Sequence, residues 1–128
     1  MGLDHGLWIK RKRQKDAEFE PLAIWRKNNA MHHYVCANIA KDYEINCMNI
    51  RMSKPQLKDL YSRTTKVLDS ADIDLAKLIL PTMEGFFFGN TDYNEIYFEQ
   101  IKQANQDLKK ILDEVDFKNN SVYYHSWY

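Results

Sequence analysis

Apolar side chains recur along this chain at two different periods, and the two periods predict two kinds of element. The longest helical repeat is Tyr93, Tyr97, Ile101, Ala104, Leu108, Ile111, Val115. Spacings of three and four place these side chains on one face of a helix, with Thr91 or Asp92 as its N-cap. A second repeat, Leu57, Leu60, Tyr61, Thr64, Val67, Leu68, follows Ser53-Lys54-Pro55-Gln56. There Ser53 caps, Pro55 sits in the first turn, and Gln56 completes a capping box. Asp72–Leu80 predicts a short helix that Pro81 ends. A further stripe, Leu22, Trp25, Asn28 or Asn29, His32, Cys36, Ile39, predicts a helix from about Leu22 to Asp42, with Pro21 in its first turn.

The two-residue period marks strands. Leu7–Lys12 starts with strand formers and turns basic, with Leu7 and Ile9 on one face. Ile45–Met52 alternates Ile45, Cys47, Asn49 against Met48, Ile50, Met52. Phe86, Phe87 and Phe88, bracketed by Gly85 and Gly89, predict a short strand buried on both faces. Val122–Tyr128 is a terminal strand that sends Tyr123, His125 and Trp127 one way and Tyr124, Ser126 and Tyr128 the other. About four short strands and three main helices in mixed order predict an α+β fold, a small antiparallel sheet packed against helices.

Length and composition agree with one domain over residues 1–128. A chain of this length buries roughly two thirds of its unfolded surface without a disulfide or metal staple. Hydrophobic residues are 45% and charged residues 28%, ordinary for a globular domain. The 18 basic and 18 acidic side chains cancel, so total charge gives no strong nucleic-acid signature. Locally, Lys10-Arg11-Lys12-Arg13-Gln14-Lys15 is a basic run, read either as a solvated strand end or as a docking patch for phosphate or an acidic partner. Cys36 and Cys47 form no C-x-x-C, and both are expected as free, packed thiols in a reducing cytoplasm. Met1–Ile9 does not resemble a signal peptide, and no run approaches a membrane span of roughly 20 apolar residues.

The first predicted helix is the leading candidate site, because amides and imidazoles occupy positions where apolar side chains are expected. Buried, they need partners. Either the backbone satisfies them, or a ligand does. In the second case the site is Trp25, Arg26, Asn29 and His33 with Asn90 and Thr91 of the glycine-bracketed segment: Trp25 stacks on a base, Arg26 meets phosphate, and the amide and hydroxyl groups read polar edges. Tyr124 and Trp127 of the terminal strand are candidate partner contacts. No metal site or cofactor is expected: His32 and His33 are adjacent and diverge by about 100° on a helix. No catalytic residue is assigned either. Cys36 has no evident activating group apart from His32, and Ser126 with His125 completes no triad.

Four blocks carry a family resemblance: Met1-Gly2-Leu3-Asp4, Trp25–His32, Leu80–Tyr93 and Tyr123-Tyr124-His125-Ser126-Trp127. Together they resemble a family of small uncharacterised proteins of bacteriophages and prophages. Members are similar to Leu-Pro-Thr-Gln-Ser-Gly where this chain has Met83 and Glu84 before Gly85. The resemblance implies a non-enzymatic phage accessory protein in the host cytoplasm. By analogy, such a protein binds stoichiometrically and inhibits host antiviral defence, its partner a defence protein such as a CRISPR effector or a small nucleotide messenger. Two alternatives stand beside it: a small hydrolase or nucleotide-processing enzyme with His32 or His33 as acid or base, and a homodimerising domain that pairs through its C-terminal strand.

Overall fold

The computed structural model describes residues 2–128; Met1, the first residue of the opening resemblance block, lies outside them. The chain is α+β. Strands β1 (Asp4–Arg11), β2 (Glu20–Arg26), β3 (Asn49–Met52) and β4 (Asn120–Trp127) form one antiparallel sheet in the order β2-β1-β4-β3. The helices are α1 (Asn29–Tyr34), running on into a π-helical turn over Val35–Ala40, then α2 (Lys54–Ser70), α3 (Ile73–Ile79) and α4 (Glu95–Glu114). No helix among the described residues is long and apolar enough to cross a membrane.

The core lies between the helices and one face of the sheet. Leu7 of β1 is opposite Ala23 of β2 and Tyr124 of β4, and Ile50 and Met52 of β3 are opposite Tyr124 and Val122. These inward residues meet Leu57, Leu60 and Val67 of α2 and Tyr97, Ile101, Ala104, Leu108 and Ile111 of α4. The stripes predicted for the two long helices are therefore the faces they bury. Val115 lies just past the end of α4, where it still packs against the core.

Helix α2 begins as its sequence predicts. Ser53 Oγ accepts from Gln56 N–H and Gln56 Oε1 accepts from Ser53 N–H, which satisfies two otherwise orphaned donors. Ser53→Ala is expected to lower stability by about 1 kcal/mol, read from the urea midpoint at unchanged m-value.

Four predicted elements need correction. The helix expected from Leu22 starts only at Asn29, because Glu20–Arg26 is an edge strand. Its residues alternate with period two: Ala23 and Trp25 face the core, Ile24 and Arg26 face solvent. Pro21 is tolerated there, since an edge strand leaves one side of the backbone unpaired, and the register slips beside it between Leu7 and Trp8. Lys27 then adopts a positive φ of 54°, which turns the chain from strand into helix. Second, the three phenylalanines form a turn and no strand: Phe86 is 95% exposed, while Phe88 is buried. Third, Asn94, and neither Thr91 nor Asp92, caps α4 through Tyr97 N–H. Fourth, β3 begins at Asn49, because Cys47 has φ of 62° and interrupts the alternation that starts at Ile45. Cys36 is buried as expected, but Cys47 is exposed.

Candidate functional site

Beneath α1 the polar stripe resolves into two internal networks. Asn29 Nδ2 donates to the carbonyls of Phe88 and Asn90, both at 2.9 Å, and its Oδ1 accepts from Met83 N–H at 3.1 Å. One buried amide thus closes the whole 83–90 loop against α1. The loop is tied at its far side by Thr82, whose hydroxyl donates to Thr91 O at 2.9 Å. The chain's own backbone, then, is the partner of Asn29.

The second network runs through the core. Asn28 N–H donates to His5 Nε2 at 3.1 Å, so the His5 proton is on Nδ1. His5 Nδ1 and His32 Nδ1 both lie 2.7 Å from the Tyr124 hydroxyl. A hydroxyl has one proton, so it accepts from His5 and donates to His32. That leaves the His32 proton on Nε2, which has no partner and stands among the rings of Phe88 and Tyr128. All three side chains are fully buried. Burial pushes the His5 pKa down to about 3 and that of His32 to about 4, with each charge further disfavoured by a neighbouring imidazole. Burial also holds the Tyr124 phenol far above its ordinary value. Both imidazoles are neutral at physiological pH, and solvent reaches neither.

The predicted site residues are therefore dispersed. Trp25 is on β2 rather than on a helix, so it shares no helical face with Asn29. Its indole is buried against His5 and donates to Asp107 at 2.9 Å, leaving no face for a base. Tyr124, expected as a partner contact, is in the core. Asn29 and Asn90 do come together, but through Asn90's backbone carbonyl, while the Asn90 side chain accepts from Asp92 N–H at 2.6 Å. Thr91 contributes its carbonyl to Thr82. His33 is half-buried beside Tyr43 and lines a shallow pocket with Arg63, Leu80 and Pro81 that includes no carboxylate. Burial also pushes the Cys36 thiol up to about 11, so it is not a ready nucleophile. Among the described residues, no group of three His, Cys, Asp or Glu side chains could hold a metal ion.

Arg26 and Trp127 belong to a different surface. On β1 and β4 the outward residues pair Asp4 with Trp127, Gly6 with His125, and Trp8 with Tyr123. Trp8, His125 and Trp127 form a packed triangle, with ring centroids 5.6 to 6.0 Å apart. Phe19 folds over Tyr123 at 5.3 Å, and the Lys10 ammonium stands 5.1 Å above the Phe19 ring. Trp127 is 41% exposed, Phe19 39% and Ile24 60%. Arg26, exposed, reaches Asp4 at 3.3 Å. The core-facing side of the sheet is covered by helices, and among the described residues no helix covers this side.

His5, Trp8, Tyr123 and His125 are the residues that sequence reasoning left out of its site. Their signal was the two-residue period: carried back from Leu7, it places His5 inward and Trp8 outward. Comparison with protein-family profiles, curated proteins and solved structures finds no match.

Proposed function

We propose that this protein works by stoichiometric binding and that the open aromatic face of its sheet is the surface that binds. One observation carries the reading: Trp8, Tyr123, His125, Trp127, Phe19 and Ile24 lie together on a face that no helix covers. Large aromatic surface left in water is unfavourable alone and is the usual anchor of an interface. The family resemblance supplies the setting, a phage accessory protein whose partner is a component of host antiviral defence, either a defence protein or its nucleotide messenger. The enzymatic alternative draws less support. It requires a solvent-reachable imidazole beside a carboxylate, whereas His32 is sealed in the core and the His33 pocket includes no acid.

The test is retention of a partner from infected host cells on immobilised protein. Wild type is expected to hold a partner that a Trp127→Ala, His125→Ala variant releases, with both proteins melting cooperatively at similar temperatures. Equal retention by the two would overturn the assignment of the surface. Trp25→Ala is unsuitable, since it would open a cavity in the core.

A further inference from the structure

The same face carries a second feature beside its rings. At the end of the sheet, where β1 runs into the 12–15 turn, an open groove of about 480 Å³ is lined by Lys10, Arg11, Lys12, Arg13 and Lys15. Tyr123, paired with Trp8 across the sheet, also lines the groove, so groove and aromatic row share a residue. Among the described residues, no carboxylate lines it. Lys12 Nζ donates to the Phe117 carbonyl at 2.8 Å, which ties the turn to the segment after α4. The sheet positions that face the same way add Arg26 and Arg51, against Asp4 as the one acidic residue on these strands' outward positions. The neutral total charge thus conceals a local surplus of cations on the one face left open.

A row of rings alone would suit many partners, and a basic groove alone would suit any anion. Continuity of the two through Tyr123 suits a chain that alternates planar rings with phosphates. Rings lying on a sheet can stack on the faces of bases, which a duplex hides and a single strand offers. A second copy of this chain fits poorly, since two-fold pairing of this face would set Lys10, Arg26 and Arg51 against one another. We infer that the open face binds single-stranded nucleic acid, with bases on Trp8, Tyr123 and Trp127 and phosphates entering the groove of Lys10, Arg11 and Arg13. This rests only on the reading of the open face as the binding surface, and it puts a nucleic-acid strand there in place of the defence protein or messenger that the family resemblance suggests.

The experiment is an anisotropy titration of a labelled oligothymidylate of about a dozen nucleotides, a length suited to one small site. Binding is expected to weaken with salt, the log–log slope being roughly −0.7 per phosphate neutralised. A duplex of the same length should bind more weakly. Tyr123→Ala and Trp127→Ala should each weaken binding roughly tenfold while leaving the slope alone. Arg13→Ala should make the slope shallower by about 0.7. No binding by wild type at low salt would overturn the inference, as would binding indifferent to both ring substitutions. Equal affinity for polyglutamate would also overturn it, in favour of an acidic protein partner. If oligonucleotide fails but Trp127→Ala still releases a captured host partner, the inference falls and the open face stands as the binding surface. If neither assay responds to Trp127→Ala, both fall.

Discussion

Lowering the pH from 7 to 5 is expected to remove about 4 kcal/mol of folding stability, because two buried histidines must stay neutral for the chain to stay folded. The sign follows from the direction of the shifts. In the unfolded chain His5 and His32 take up protons near their ordinary value of 6.5, while the folded chain refuses them until about pH 3 and about pH 4. The stability they contribute is complete above 6.5 and is lost as pH falls from there toward those folded values. Across the middle of that window the unfolded chain holds nearly two more protons than the folded one, a slope of about 2.7 kcal/mol per pH unit. Half-buried His33, its pKa also lowered by burial, acts in the same direction. Urea midpoints between pH 4.5 and 7.5 read the effect. His32→Gln should roughly halve the slope, and an unchanged slope would show that the relay is not its source. A loss of this size is a large fraction of a typical stability of about 5–15 kcal/mol, so acid should unfold the domain.

What could be read from the sequence was whatever a local period or a local cap encodes. Helices α2 and α4 were legible because their apolar periods persist over about three turns or more, and the capping box of Ser53 and Gln56 is a purely local signal. The two faces of β4 were legible from its two-residue alternation. Trp25 was not. Leu22, Trp25, Asn29 and His32 are spaced as on a helix, yet Leu22–Arg26 belongs to a strand, and the shared period is an accident of where strand and helix meet. What separates them is the positive φ of Lys27, a residue that gives no warning of it. The Phe86–Phe88 run misled for a different reason. Strand propensity assumes a sheet to join, but Asn29 holds the backbone at Met83, Phe88 and Asn90 to α1 instead. The candidate site suffered most, because burial depends on tertiary partners. Trp25, read as a ligand contact, and Tyr124, read as a partner contact, proved to be core, while pairing β1 with β4 brought Trp8 beside Tyr123 on the open face.

Asn29→Ala is expected to destabilise the fold by roughly 3 kcal/mol, the largest single-site effect outside the apolar core. The side chain is buried and makes three hydrogen bonds, each to a backbone group of the 83–90 loop. Truncation would strand Met83 N–H and two carbonyls, and each buried orphan costs about 1–3 kcal/mol, less whatever water recovers. The neighbouring Asn28 is the internal control. Its Nδ2 reaches only the Gln100 carbonyl, and its Oδ1 has no partner, so Asn28→Ala should cost about 1 kcal/mol. The two also differ in where the damage falls. Leu3 N–H donates to Phe87 O at 2.9 Å, and Lys27 N–H donates to Leu3 O at 2.8 Å, so the loop that Asn29 holds in turn anchors the start of β1. Hydrogen exchange should therefore quicken at Leu3, Lys27 and Met83 in Asn29→Ala and stay near wild type there in Asn28→Ala. If Asn29→Ala lost less than about 1 kcal/mol with exchange unchanged, the loop would not depend on this amide, and the stripe's polar residues would again need a partner from outside.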